Sequence, residues 1–279
     1  MNLITTAKTL GPQIRMFIVE NPRIAKKCEP GQFVIVRSSD DAERIPLTIA
    51  DFDREKGTIT LIVQEVGKGS QEICQMEEGD SFSDIAGPLG HSTEVKNFGT
   101  VICVGGGIGI APIFPIARAW KEAGNHVISI IGARTKELLI WEDEMRSVSS
   151  ELIVTTDDGS QGRAGRVTDP LREILEKDEV ARVMAIGPVI MMKFVAETTR
   201  PFGTPTWASL NPVMVDGTGM CGGCRVTVGN EVYFACVDGP EFDAHKIDFD
   251  GLMARQKMFA TQEDEAKKCC GGTGACKTK

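Results

Sequence analysis

The chain has 279 residues, 42% of them apolar and 30 more glycine, a length that suggests at least two domains and a composition that excludes wholesale disorder. Thirty-one Lys and Arg against 39 Asp and Glu give a net charge of −8. That balance argues against nucleic acid and anionic membrane surfaces as partners, yet leaves room for a phosphate-bearing cofactor held by local donors.

The first hundred residues read as β structure. Gln13–Val19 and Gln32–Arg37 are short apolar runs divided by Pro22, Pro30 and Gly31, and Thr58–Gln64 alternates with Ile59, Leu61 and Val63 on one face. Short strands at this spacing predict a small antiparallel barrel over residues 1–98. From residue 99 the pattern changes. Strands at Thr100–Val104, His126–Ile131, Leu152–Thr155 and Arg182–Ile186 alternate with helices at Ala111–Ala123, Leu138–Met145, after Val167-Thr168-Asp169-Pro170, and at Val189–Thr199. This predicts an α/β domain with a parallel sheet over residues 99–207. Composition shifts again after Trp207. A glycine-rich loop, Asp216 to Cys224, precedes a hairpin of Arg225–Val228 and Glu231–Ala235, giving a small module over 208–250. Residues 251–279 form a charged tail, helical over 252–268, that carries Cys269, Cys270 and Cys276. The window Val101–Trp120 is the most apolar, but glycines and two prolines break it as a membrane span, and Met1–Leu10 does not read as a signal peptide. Nine cysteines, clustered toward the C-terminus, fit a reducing cytoplasmic setting and a metal centre better than a disulfide framework.

Three segments carry chemistry. Gly105, Gly106, Gly107 and Gly109 lie between a strand and a helix, where backbone N–H groups and the helix dipole receive a pyrophosphate. The spacing differs from the G-x-G-x-x-G fingerprint and no acidic residue follows about twenty positions on, so a plain tight turn is the alternative. Arg44-Ile45-Pro46-Leu47-Thr48 and Gly67-Lys68-Gly69-Ser70 offer an Arg and a turn suited to phosphates. Asp216, Cys221, Cys224 and Cys236 have nearly the spacing of a plant-type [2Fe–2S] loop, with Asp in the first place. Zinc is the rival for the C-x2-C pair, although no second close pair flanks Cys236.

In this order the segments resemble the flavin- and iron–sulfur-containing electron-transfer subunits related to ferredoxin–NADP reductase. The resemblance covers about residues 1–250. It implies a barrel for FAD, a nucleotide domain for NAD(H), with NADP(H) an alternative, and a [2Fe–2S] module. Carried onto this sequence, it implies flavin contacts from Arg44, Pro46, Leu47, Thr48, Ile62, Val63, Gln64, Gly67, Gly69 and Ser70. It implies nicotinamide-dinucleotide contacts from Gly105, Gly106, Gly107, Gly109, Asp157, Asp158, Gly187 and Pro188, and cluster ligation by Asp216, Cys221, Cys224 and Cys236. No catalytic side chain is called for. Subunits of dihydroorotate dehydrogenase look like four Cys at the cluster, whereas Asp216 looks like the branch serving NADH-dependent reduced ferredoxin:NADP oxidoreductase. The implied activity is an oxidoreductase subunit working with a larger flavin and [4Fe–4S] partner that meets ferredoxin, with electron bifurcation among the implied outcomes. A stand-alone NAD(P)H reductase and a zinc-bearing nucleotide-binding module are the other readings.

Overall fold

The computed structural model describes residues 2–263, so the tail thiols Cys269, Cys270 and Cys276 lie outside the described residues. The first six strands are β1 (Ile4–Gly11), β2 (Ile14–Glu20), β3 (Phe33–Arg37), β4 (Ile45–Asp53), β5 (Thr58–Gln64) and β6 (Asp84–Leu89), with short helices α1 (Pro22–Lys27) and α2 (Lys68–Cys74) between them. They form one antiparallel sheet in the order β1-β2-β5-β4-β3-β6. The sheet curls, and a single bridge from Leu3 to Ser81 joins its two ends. It is barrel-like rather than a closed barrel of paired strands. The alternation in β5 explains its fill. Ile59, Leu61 and Val63 enter the barrel core with Phe17, Val34 and Ile49, while Ile62 points out of it toward the next domain.

The second sheet contains β7 (Thr100–Gly106), β8 (His126–Ala133), β9 (Glu151–Thr156), β10 (Arg163–Ala164), β11 (Arg182–Ile186) and β12 (Thr206–Ser209). Helices α3 (Ile110–Glu122), α4 (Glu142–Val148), α5 (Thr168–Leu175) and α6 (Val189–Thr199) connect them. Its order is β10-β9-β8-β7-β11-β12, all parallel. The chain steps outward one way from β7, then returns to lay β11 on its other side. The crevice at such a reversal, beyond the strands' C-terminal ends, is where open α/β sheets bind ligands.

One predicted helix is displaced. Ile140 drops into the core and Trp141 takes a left-handed conformation (φ 54°), so α4 starts only at Glu142 instead of Leu138. Glu142, Asp143 and Glu144 then fill its first turn, where the helix dipole favours carboxylates.

The last module has the hairpin β13 (Arg225–Val228) and β14 (Glu231–Phe234), a single turn α7 (Ala235–Asp238), strand β15 (Glu241–Asp243) and α8 (Phe249–Gln256). Helix α8 begins earlier than residue 252 because Asp248 caps it, accepting from Gly251 N at 2.9 Å. Strand β15 leaves its own module and adds antiparallel to β12, with Ser209 opposite Glu241. One apolar core contains Phe33 and Ile35 of the barrel, Ile102 and Val104 of the parallel sheet, and Met214, Cys224 and Cys236 of the last module. No helix among the described residues is long and apolar enough to cross a membrane.

Candidate functional site

A cavity of about 770 Å³ opens where the three parts meet. Barrel residues Pro46, Leu47, Thr48, Ile62 and Gln64 form one wall, and the glycine turn Gly106, Gly107 and Gly109 forms the facing one. Gly187 and Pro188 close it behind β11, Asp157 lies at its edge, and Ser209, Leu210 and Met214 lead toward the cysteine loop. Residues far apart in sequence thus share one space.

Two helices begin at this cavity. The N-terminus of α3 follows Gly109 and that of α6 follows Pro188; neither has a side-chain cap nor an acidic residue in its first turn. The start of α6 and the short 3-10 turn Gly107–Gly109, into which Ile110 N is already bonded at the start of α3, direct their backbone N–H groups and positive dipole ends to one volume, which suits a pyrophosphate and its neighbouring groups. Gly109 is required for packing: a Cβ there would lie 2.3 Å from the Ile186 carbonyl oxygen. The turn therefore brings the start of α3 hard against the end of β11.

The remaining expected residues sit elsewhere. Val63 is 1% exposed and turned into the barrel core, away from the cavity, because it has the opposite parity to Ile62 and Gln64. Gly105 packs under Ile110 and Ile113. Asp158 is exposed and binds its own turn, accepting from Ser160 N and Ser160 Oγ, which holds its carboxyl below the usual range. Gly67, Gly69 and Ser70 open α2, where Ser70 Oγ accepts from Val66 N and Gly67 N. Arg44 donates from Nε to the Val215 carbonyl at 2.8 Å and faces Asp84 at 3.5 Å, tying the barrel to the residue before Asp216. Sequence reasoning missed Arg166, which lines the cavity beside Arg134 with its guanidinium 6.0 Å from the Phe194 ring centre. The only hint was its place just before the start of α5.

Of the four expected ligands, Cys224 and Cys236 meet through their sulfurs, whereas Asp216 meets the backbone N–H of Cys221. Asp216 accepts from Thr218 N at 2.9 Å and Cys221 N at 2.6 Å, and these bonds, that from Thr218 first, hold its carboxyl below the usual range. Cys224 and Cys236 have sulfurs 3.3 Å apart and both are free thiols; burial pushes the Cys236 thiol up to about 12. Backbone N–H groups of Gly223 and Cys236 point at the sulfurs of Cys221 and Cys224. Glycines 217, 219 and 222 all have positive φ, a conformation that favours glycine. Among the described residues no three His, Cys, Asp or Glu side chains converge on a point that one ion would occupy. The four expected ligands lie in one loop-and-hairpin region, with backbone N–H groups directed at two of the sulfurs, the kind of donor surroundings that iron–sulfur sites use.

Comparison with known proteins adds to this geometry. Residues 211–248 match the iron–sulfur cluster binding domain of dihydroorotate dehydrogenase B, and residues 103–197 match the oxidoreductase NAD-binding domain. A dihydroorotate dehydrogenase B (NAD(+)) electron transfer subunit homolog of Thermotoga maritima is 46% identical over 94% of this chain and 93% of its own length. The electron transfer subunit of Geobacillus thermodenitrificans is 35% identical, over 80% of this chain and 88% of its own. A solved structure of an NADH-dependent reduced ferredoxin–NADP oxidoreductase, studied for flavin-based electron bifurcation, superposes with a TM-score of 0.93 at 44% identity and covers 98% of both chains.

Proposed function

Because the chain belongs to the family of dihydroorotate dehydrogenase B electron-transfer subunits, we propose that it passes electrons between NAD(H), FAD and a [2Fe–2S] cluster, to or from a larger partner subunit. The observation that carries this reading is the shared cavity. The strand bearing Pro46, Leu47 and Thr48, the glycine turn, and the lead into the Asp216–Cys236 ligand set all border it.

When bound, the nicotinamide supplies hydride exchange, the flavin exchanges one or two electrons, and the cluster exchanges one at a time. Pro46, Leu47, Thr48 and Gln64 would hold the flavin from the barrel side. The N–H groups that open α3 and α6 would bind the dinucleotide phosphates. Arg134 and Arg166 flank the cavity and suit the adenosine end, where a 2′-phosphate would mark NADP(H); we favour NAD(H). Asp216 and Cys221 would hold one iron, and Cys224 and Cys236 the other, with the N–H groups of Gly223 and Cys236 steadying the thiolates. Apolar Ala50, Ile62 and Ala111 line the space between the two walls and would limit water there once the cofactors fill it.

We further propose that the partner is a larger flavin and [4Fe–4S] subunit that meets ferredoxin, in a soluble cytoplasmic complex. Asp216 favours this over a partner that oxidises dihydroorotate. The family model and the Thermotoga relative favour the latter, and assays of the purified complex with each substrate separate the two. The basic test is a visible spectrum with iron, sulfide, zinc and flavin measured on anaerobically purified protein. About two iron, two sulfide and one FAD per chain are expected. Zinc without flavin overturns the reading.

A further inference from the structure

Outside the cofactor residues, one polar contact spans the two walls of the cavity. Arg118 on α3 meets Asp51 on β4, Nη1 to Oδ1, at 2.7 Å. The guanidinium also lies over the rings of Phe52 (5.5 Å) and Phe114 (5.3 Å), and Phe114 is in turn held edge-on by Trp141. The pair is about one-third exposed on each side.

Its position is what matters. Strand β4 contributes Pro46, Thr48 and Ala50 to the cavity, and Asp51 is the next residue. Helix α3 contributes Ala111 and Pro112, and Arg118 lies two turns beyond Ala111 on the same helix face. The strand that fronts the proposed flavin and the helix that begins at the dinucleotide turn are therefore joined behind the site. The rest of this contact is apolar: Ile14, Ala50 and Ile62 of the barrel pack with Ile110, Ala111 and Phe114. Apolar burial is non-directional, so a helix sliding along such a surface loses little. An ion pair stacked between two rings has a fixed direction and a short range, and the same slide breaks it.

We propose that Arg118 is a positioning residue for hydride exchange: through Asp51 it sets the spacing between the barrel wall and the helix wall of the cofactor cavity. The proposal rests on the function given above. Hydride exchange needs reacting atoms about 3–3.5 Å apart, and a misplacement of about 1 Å can cost on the order of a hundredfold in rate.

The test uses cofactor-loaded Arg118→Gln, Asp51→Asn, the double variant, and Arg118→Lys. Flavin reduction by NADH is followed by stopped flow at rising concentration, and amide deuterium exchange is measured over β4 and the first two turns of α3. The limiting reduction rate should fall about tenfold or more in either single variant, with the dissociation constant for NADH and the flavin content unchanged. The double variant should be no slower than the slower single, and Arg118→Lys should recover part of the rate. Exchange should quicken in both segments. Should Arg118→Gln fail to fold, Asp51→Asn and Arg118→Lys carry the same comparison. Folded variants with a wild-type limiting rate overturn the proposal, as does an additive double variant. If the wild type itself takes up no flavin, the proposed function fails instead, and unchanged exchange in the variants then overturns the strut on its own.

Discussion

Glu241 is the group whose titration the fold has altered most legibly. Its carboxylate lies under the Pro30–Gly31 turn of the barrel, where Thr93 Oγ1 donates to it at 2.5 Å. Among the described residues Arg182 is the cation acting on it, and Arg182 already pairs with Glu94 at 2.9 Å. Burial dominates and raises the Glu241 pKa from 4.5 to about 7, against the lowering by Thr93 and Arg182. The native state thus keeps a proton that the unfolded chain releases between those two values. Stability from this group is complete below about pH 4.5, declines as pH rises, and is lost above about 7. At about 1.36 kcal/mol per pH unit the whole effect is at most about 3 kcal/mol. Glu241→Gln keeps an acceptor for Thr93 and cannot ionise. The wild type should trail the variant slightly at pH 5 and fall further behind by pH 8, by up to several degrees in Tm for a chain of this size. Thermal unfolding of both proteins from pH 5 to 8 measures the difference, and a carboxylic C=O band present only in the wild type identifies the proton. Parallel curves across that range would refute the reasoning.

Three other outcomes follow from the site. Asp216→Cys should retain iron and lower the cluster midpoint toward the plant-type value of roughly −400 mV; an unchanged midpoint in a redox titration means Asp216 is not a ligand. Gly109→Val must push the start of α3 off the Ile186 carbonyl, so dinucleotide binding should drop by at least an order of magnitude in a calorimetric titration, at a stability cost of about 1–3 kcal/mol. Arg44→Ala removes the tie to Val215 and should release iron faster to a chelator; identical release kinetics would confine Arg44 to the barrel.

Much of this architecture was legible because it depends on local pattern. The alternation of Thr58–Gln64 and the strand–helix rhythm after Thr100 are periodicities that chain segments carry by themselves. The spacing of Asp216, Cys221, Cys224 and Cys236 likewise singles these four out as candidate ligands before any fold is known. Long-range features were not legible. Nothing in Glu241–Asp243 says that it pairs with Thr206–Ser209 rather than with its own hairpin, since a three-residue strand has almost no pattern. The late start of α4 came from Ile140 seeking the core, a tertiary choice that local propensity does not see. The side chain of Val63 was likewise not placed by the contiguous run Ile62-Val63-Gln64, since a strand offers only every second side chain to one face and Val63 turns into the barrel core. Arg118 and Asp51 were invisible as a pair because no spacing rule links residues 67 positions apart.

Strand β15 bears on how this protein can be dissected. By lying on β12 it covers the backbone groups that this margin of the nucleotide sheet would otherwise leave unpaired. A chain cut after Ser209 would keep every residue of the glycine turn yet expose a fresh row of donors and acceptors to its neighbours. The C-terminal module is thus a selvedge as well as a cassette, and a soluble nucleotide domain would have to be expressed with a replacement for those three residues.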